Sequence, residues 1–263
     1  MSGYRDFAFF YDALTQDVDY DAWADYLLKV FRRHGCAGRT WLDLACGSGS
    51  LSLALARRGM DMVGVDASPD MLAIAGEKAA QDGRDILYLC QDMRQLDLYG
   101  TVDGAVCLLD SLNHVLHTRD LREIFRRLGL FIAPGGLLVF DANTPYKHEN
   151  ILGDAAFVFE QEDFMCVWRN AYMAARHQTH MQLDFFVEQP DGQYVRYTDE
   201  VRERAYALST WKALLAAAGF TVEAVYGERC FSEPDATAQR WVFVARNQAI
   251  AQRNDNGNGE NNG

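Results

Sequence analysis

Residues 40–49 read Thr-Trp-Leu-Asp-Leu-Ala-Cys-Gly-Ser-Gly, an apolar run that breaks into a turn of small residues. The run predicts a buried strand, and a helical segment follows the second glycine. Glycine is tolerated where the backbone turns sharply or approaches a ligand, and the start of a helix presents free N–H groups and a positive dipole end. The stretch therefore predicts a strand, a tight turn and a helix that together hold a nucleotide-like cofactor.

The turn lacks the residues that two common phosphate-binding motifs require. A dinucleotide fingerprint, G-x-G-x-x-G, needs a third glycine where this chain has Ser52. A P-loop ends in Gly-Lys-Ser/Thr, and this turn contains no lysine. An acid at Asp43 would repel a pyrophosphate, but it suits a ligand that carries an ammonium group. A plain tight turn in an α/β domain is the alternative interpretation.

Acidic residues follow the next two predicted strands in the same way. Residues 62–66 form a strand-like run that ends in Asp66, with Ser68 placed to cap the following helix, and residues 86–90 lead to Asp92. Open α/β sheets bind ligands outside the carboxyl ends of their strands, where a carboxylate can accept hydrogen bonds from both ribose hydroxyls. Asp66 as an ordinary turn residue is the alternative.

In these motifs the chain resembles the class I S-adenosylmethionine-dependent methyltransferases, and it is most similar to uncharacterised bacterial small-molecule methyltransferase-like proteins. Those proteins share an N-terminal segment that reads here Tyr11-Asp12, residues 17–20 (Asp-Val-Asp-Tyr) and Trp23. The resemblance covers most of residues 7–246. With the alternation of strands and helices, it implies an α/β fold with a doubly wound, seven-stranded, mainly parallel, Rossmann-like sheet.

The resemblance also implies a set of contacts to S-adenosylmethionine and to its product, S-adenosylhomocysteine. These cofactor-binding residues are Tyr11, Trp23, Asp43, Ala45, Cys46, Gly47, Gly49, Asp66, Ala67, Ser68, Met71, Gln91, Asp92, Met93, Leu109 and Asp110. In this set Asp66 would bind the ribose and Asp92 would receive the adenine amino group.

The candidate catalytic residues are Asp110 and His114, which follow the predicted strand of residues 102–109 where family members commonly place residues beside the methyl group. A histidine that bonds only to backbone in a turn is the alternative for His114. Methyl transfer from a sulfonium is an in-line displacement that depends on alignment and on exclusion of water, so the fold itself requires no base.

The predicted organisation is one α/β domain with an insertion. Its parts are an N-terminal helical flap (residues 1–38), a methyltransferase core (residues 39–146 and 207–246), an inserted antiparallel β lid (residues 147–206) and a disordered tail (residues 247–263). In the core, the pattern predicts a helix over residues 119–132 that ends at residues 134–136 (Pro-Gly-Gly). The resemblance implies that the lid carries acceptor specificity, and aromatic or basic side chains that could line the acceptor pocket are Trp168, Arg169, Tyr172 and Tyr206.

Composition narrows the remaining classes. The net charge of −12 disfavours a nucleic-acid substrate, because binding to a polyanion normally needs a basic stripe. The six cysteines are scattered, with Cys90 and Cys107 in strands expected to be buried, and no His/Cys spacing matches a zinc site. These features predict reduced thiols, no metal, no membrane-spanning segment and a cytoplasmic location.

The sequence thus predicts S-adenosylmethionine-dependent methyl transfer to a nitrogen or oxygen of a small-molecule acceptor, by a monomer or homodimer. A tRNA or other nucleic-acid methyltransferase on the same fold and a non-catalytic binder of adenosylmethionine are the alternatives. An NAD-dependent enzyme is a further one, disfavoured by the missing third glycine.

Overall fold

The computed structural model describes residues 15, 18–161 and 164–248, so the predicted cofactor contact at Tyr11 lies outside the described residues. The helices are α1 (Tyr20–Arg33), α2 (Ser50–Arg57), α3 (Pro69–Gln81), α4 (Thr118–Phe131) and α5 (Leu208–Ala217). The strands are β1 (Thr40–Leu44), β2 (Asp61–Asp66), β3 (Leu87–Cys90), β4 (Val102–Cys107), β5 (Ile132–Asn143), β6 (Ala156–Glu160), β7 (Phe164–Met173), β8 (Gln178–Glu188), β9 (Tyr194–Arg204), β10 (Phe220–Gly227) and β11 (Arg240–Asn247).

Seven strands form one sheet in the order β3-β2-β1-β4-β5-β11-β10. The pairs among β1 to β5 are parallel, whereas β11 is antiparallel to both of its neighbours. The prediction of a doubly wound, seven-stranded, mainly parallel sheet is therefore confirmed. The strand order reverses between β1 and β4, and this switch point is where open α/β sheets bind their ligands.

Two apolar clusters cover the opposite faces of this sheet. Phe140 of β5 packs in one cluster with helices α4 and α5, and its neighbour Val139 packs in the other with α1 and α2. Successive residues of a strand point to opposite faces, so one strand supplies both cores. Apolar burial on both faces holds the carboxyl edge of the sheet in a fixed position.

Helix α1 packs as part of the domain core. Its first turn is capped by Asp19, whose Oδ1 accepts a hydrogen bond from the backbone N–H of Ala22 at 2.8 Å. The buried face of α1 includes Trp23, Leu27 and Val30. The described part of the predicted flap is thus a core helix, because its apolar stripe is covered by the sheet.

The insertion after β5 forms a separate four-stranded antiparallel sheet, β6-β7-β8-β9, as predicted. Paired residues in antiparallel strands share a face, so Cys166, Phe185 and Tyr197 lie on one side of it. Cys166 and Phe185 are buried in a third apolar cluster. This inner face turns toward the carboxyl edge of the parallel sheet.

Two predicted boundaries differ from the structure. Residues 134–136 lie within β5, which begins at Ile132 directly after α4. Gly136 lies so close to β4 that a Cβ would come within 2.4 Å of the Asp103 carbonyl oxygen. Because glycine has no side chain, β5 can run this close to β4 and continue as a strand. At the other end, the predicted tail begins too early, because Asn247 is buried in β11 and its side chain donates to the carbonyls of Gly129 and Ile132.

Cys90 is exposed, whereas Cys107 is buried as expected. The reason is position: β3 is an edge strand and β4 is a central one. All six cysteines are free thiols. Among the helices of residues 18–161 and 164–248, none is long and apolar enough to cross a membrane.

Candidate active site

The turn between β1 and α2 is built from left-handed backbone. Ala45, Gly47 and Gly49 have φ values of 58°, 53° and 75°. A Cβ on Gly49 would lie 2.5 Å from the Tyr88 hydroxyl and 2.7 Å from the Ala75 Cβ. Glycine is therefore required at position 49 both by conformation and by contact, and the start of α2 packs tightly against α3 and β3.

Asp66 ends β2 and binds this turn directly. Its Oδ2 accepts a hydrogen bond from the Gly47 N–H at 2.8 Å, and its Oδ1 accepts one from the Ser68 N–H at 2.9 Å. Ser68 also caps α3 through the Met71 N–H, as predicted. Each carboxylate oxygen has further acceptor capacity, so the turn fixes Asp66 while leaving it able to bind ligand hydroxyls.

Asp43 lies deeper than the sequence suggested. Its Oδ2 accepts a hydrogen bond from the Ser52 hydroxyl at 2.5 Å, and burial raises the pKa of the carboxyl to about 7. Asp43 borders only a small cavity of about 20 Å³, which it shares with Tyr20, Cys46 and Ser48. The structure thus places Asp43 under the turn, against Ser52.

A cavity of about 410 Å³ lies outside the ends of β2 and β3. Asp92 lines it and pairs with the Arg94 guanidinium, which lowers the pKa of Asp92. Gln91 lines it too, and the Gln91 side chain holds the following loop through hydrogen bonds with the backbone N–H and carbonyl of Asp97. Further lining residues from the predicted set are Ala45, Asp66, Ala67, Met93 and His114.

A second cavity of about 460 Å³ adjoins the first. The two cavities share Ala45, Asp66, Met93, Ser111 and His114 as walls. Trp168, Met181, Leu183, Val201 and Glu203, from the inner face of the inserted sheet, close the far side. The insertion therefore covers the site, as predicted.

Asp110 lies in the second cavity within an ion cluster. The Arg240 guanidinium donates to its Oδ1 at 2.9 Å and also pairs with Asp141, at the end of β5. Burial opposes ionisation of Asp110, but the charges of Arg240 and Lys147 outweigh it and hold the pKa well below the usual range. Burial raises the pKa of Asp141. Asp110 is thus an ionised, anchored carboxylate, poorly suited to act as a base.

Asn143 connects this cluster to the inserted sheet. Its Nδ2 donates to Asp110 Oδ2 at 2.8 Å and to Glu203 Oε2 at 3.1 Å, and its Oδ1 accepts from the Lys147 ammonium at 2.9 Å. His114 is half-exposed, with its Nε2 3.8 Å from Glu203 Oε1. The second cavity is therefore lined by three carboxylates (Asp66, Asp110 and Glu203), one imidazole (His114) and one guanidinium (Arg240), together with the apolar side chains of the inserted sheet.

Most of the predicted contacts come together, and some do not. Trp23 is only 3% exposed, within the apolar cluster around α1, and it borders neither of these two cavities, so the prediction of Trp23 as a cofactor contact is corrected. Arg169 faces outward and pairs with Asp184, and Tyr206 packs against Trp211 in the core. Of the proposed acceptor-pocket residues, Trp168 lines the cavity.

Sequence reasoning missed Glu203, Arg240, Asn143 and Asp141. Asp141 follows the pattern already used for Asp66, an acid near the end of a predicted parallel strand, and that signal could have found it. Glu203 and Arg240 lie in antiparallel strands far along the chain, and no local pattern marks them.

The atoms that could hold a metal ion are those of Asp110, His114 and Glu203, whose ligand atoms lie within 4.8 Å of one another. A zinc or similar ion prefers four ligands. Asp110 is already bound by Arg240 and Asn143, so His114 and Glu203 would remain, and two further ligands would have to come from elsewhere. Hydrogen bonds from Arg240 and Asn143 thus already occupy part of the acceptor capacity of these carboxylates.

Comparison with known proteins agrees with this geometry. A family model described as a methyltransferase domain matches residues 42–136. A Geobacillus sp. (strain WCH70) protein, provisionally named a methyltransferase, is 34% identical over 244 residues, which cover 92% of this chain and 99% of that protein. The crystal structure of an S-adenosylmethionine-dependent methyltransferase from Clostridium acetobutylicum ATCC 824 superimposes with a TM-score of 0.83 at 27% identity, over 92% of this chain and 98% of that one.

A sugar N-methyltransferase, KedS8 from Streptoalloteichus sp. ATCC 53650, has the same fold, with a TM-score of 0.75 at 24% identity over 91% of this chain and 93% of that one. The site and the fold define a class I α/β methyltransferase. This chain belongs to the S-adenosylmethionine-dependent methyltransferase family.

Proposed function

We propose that this methyltransferase transfers the methyl group to a nitrogen or oxygen of a small-molecule acceptor. The observation that carries the proposal is the shared wall between the two cavities. A donor in the first cavity and an acceptor in the second would meet beside Ser111 and His114. Such alignment is what an in-line displacement needs, and the inserted sheet covers one side of the second cavity.

The residues of the first cavity fit the cofactor. Asp66 is fixed by two backbone amides and faces the cavity, where it would bind the ribose, and Asp92 lines the same cavity, where it would receive the adenine amino group. S-adenosylmethionine, when bound, supplies a methyl group on a positively charged sulfur. The backbone of Gly47 and the side chain of Met71 border the second cavity, where the methyl group would point.

His114 is the proposed proton acceptor. Its half-exposed imidazole stands in the wall common to both cavities, next to Glu203. The acceptor would lose a proton in taking the methyl group, and the imidazole could carry that proton to solvent, while bound S-adenosylmethionine would supply the methyl group and leave as S-adenosylhomocysteine. Asp110 would not take the proton, because its pairing with Arg240 holds its pKa well below the usual range and makes it a weak base.

Two observations favour a small acceptor over a nucleic acid. The second cavity, at about 460 Å³, is the size of a metabolite site and is roofed by the inserted sheet. The chain has a net charge of −12. The similarity to KedS8, whose name describes it as a sugar N-methyltransferase, supports an acceptor of this size.

The experiment is an acceptor screen with mass-spectrometric detection of S-adenosylhomocysteine. Purified protein and S-adenosylmethionine are incubated with amines, sugars, small acids and, separately, bulk tRNA. We expect product with at least one small molecule and none above background with tRNA. Product with tRNA alone would contradict the proposal, and tight cofactor binding without any turnover would favour a non-catalytic binder.

A further inference from the structure

Glu203 is the buried acid of the acceptor cavity. It lies near the end of β9, on the inner face of the inserted sheet, and is 4% exposed. One of its two oxygens is held by the protein: Oε2 accepts from Asn143 Nδ2 at 3.1 Å and lies 3.4 Å from His148 Nε2. His148 is itself fixed by Thr179, at 2.8 Å from its Nδ1. The carboxylate is therefore held in one orientation.

The other oxygen of Glu203, Oε1, is not held by a hydrogen bond from the described residues. Within residues 18–161 and 164–248 no hydrogen bond to Glu203 Oε1 is formed, and the nearest partner, His114 Nε2, is 3.8 Å away, beyond hydrogen-bond distance. A carboxylate oxygen that faces a cavity without a protein donor can accept hydrogen bonds from a ligand bound there. Because Glu203 lines the second cavity, the molecule that donates this hydrogen bond would be the methyl acceptor.

The charges around Glu203 indicate which donor fits. The neighbouring acid, Asp110, is already compensated by Arg240 at 2.9 Å, whereas Glu203 has no arginine or lysine partner among the described residues. Above it, Trp168 and Leu183 form an apolar wall. Asp66 also lines this cavity but would be taken by the ribose of the cofactor, so Glu203 is the carboxylate left to meet the acceptor, beside an apolar surface.

We propose that Glu203 is the specificity-determining residue for a basic amine acceptor. Its Oε1 accepts a hydrogen bond from the acceptor nitrogen and its charge favours binding of a protonated amine over a hydroxyl group, while the apolar wall contacts the carbon skeleton. The bound ammonium would then give one proton to His114, which frees the nitrogen lone pair to take the methyl group. This inference rests on the proposed small-molecule methyl transfer and narrows its substrate class. Asn143 acts as a positioning residue, because its hydrogen bond to Oε2 sets the direction of Oε1.

The test is a binding experiment with matched pairs of ligands. Protein saturated with S-adenosylhomocysteine is titrated by calorimetry with cyclohexylamine and cyclohexanol, and with glucosamine and glucose. In at least one pair the amine should bind at least tenfold more tightly than the hydroxyl compound. Glu203→Gln, which keeps the shape and removes the charge, should weaken amine binding at least tenfold and change hydroxyl binding less than twofold.

Two further variants keep the result interpretable. Glu200→Gln changes an acid on the outer face of the same strand, paired with His180, and should leave the amine preference unchanged. Glu203→Asp keeps the charge and should retain part of the preference. The affinity for S-adenosylhomocysteine, measured in each variant, shows that the fold and the cofactor site are intact.

Several outcomes would overturn the inference. Hydroxyl compounds that bind as well as amines to the wild type, or a Glu203→Gln variant that keeps the full amine preference, would remove Glu203 as the specificity residue. Tight binding of Mn²⁺ that is lost in Glu203→Gln, with no amine preference, would assign the cluster with Asp110 and His114 to a metal instead. Failure of the wild type to bind S-adenosylhomocysteine would contradict the proposed function itself. This result is therefore distinct from a failure of the inference about Glu203.

Discussion

The guanidinium of Arg240, in the antiparallel strand β11, donates to the carboxylate of Asp110 at 2.9 Å, across 130 residues of sequence. Asp110 and its neighbour Leu109 have φ values of 54° and 56°, so two consecutive residues without glycine adopt left-handed backbone. Such conformations persist only where the surroundings enforce them. The ion pair with Arg240 is one such constraint.

Arg240→Met should destabilise the protein by about 3–5 kcal/mol, because it leaves the buried carboxylates of Asp110 and Asp141 without their counter-ion. Urea unfolding followed by circular dichroism measures the change. Arg126→Ala is the matched control: it breaks a surface pair with Glu123 on α4 and should change the free energy of unfolding far less, because both groups stay in water. Equal decreases in the free energy of unfolding of the two variants would contradict the prediction that the buried Arg240 pairs stabilise the protein more than a surface pair does.

Asp66→Ala should weaken S-adenosylmethionine binding by about 1–3 kcal/mol through the loss of charge-assisted hydrogen bonds to the ribose. Calorimetry gives the affinity directly. Asp61→Ala, an exposed acid at the other end of the same strand, should bind the cofactor as the wild type does. Unchanged affinity in the Asp66 variant would remove its assignment to the ribose.

Gly49→Ala should destabilise the protein by about 2–4 kcal/mol, because the new methyl group combines left-handed strain with contacts to Tyr88 and Ala75. Gly59→Ala provides the comparison, since Gly59 also has a positive φ, +86°, but its Cβ would meet nothing within 4 Å. That variant should lose only about 1–2 kcal/mol from strain alone. Thermal unfolding distinguishes the two, and identical losses would argue against the contact.

Asp43 should make the stability of the protein depend on pH. Burial raises the pKa of Asp43 to about 7, so between its ordinary range and pH 7 the folded state retains a proton that the unfolded chain has released. This contribution to stability is present at low pH and is lost as the pH rises through the window, at up to about 1.4 kcal/mol per pH unit.

Asp43→Asn cannot release that proton. The free energy of unfolding of the variant, relative to the wild type, should therefore rise between pH 4.5 and pH 6.5, as measured by urea titration at each pH. The corresponding change at an exposed acid of β2, Asp61→Asn, is the control for the loss of one carboxyl group. A flat difference for Asp43→Asn would mean that its carboxyl titrates normally.

The half of the site that we propose for the cofactor could be predicted from sequence because its signals are local. The small-residue turn, Asp66 and Asp92 each follow directly on a strand, and parallel strands bring their carboxyl ends to one edge. The acceptor half could not, because its contacts join distant segments. Asn143 meets Glu203 across 60 residues, and Asp110 meets Arg240 across 130. Trp23 was misplaced for a related reason, since an aromatic residue on an amphipathic helix gives the same pattern in a core as at a ligand.

The inserted sheet is one uninterrupted length of chain, from the end of β5 to the start of α5, and Asn143 and Glu203 lie at its two junctions. Their hydrogen bond fastens the entry of the insertion to its exit. A segment exchanged between relatives at these two points would carry a whole new acceptor wall while the donor half stayed untouched. Recombination could then diversify substrates in single events, provided that each transplanted segment brought a partner for the host's Asn143.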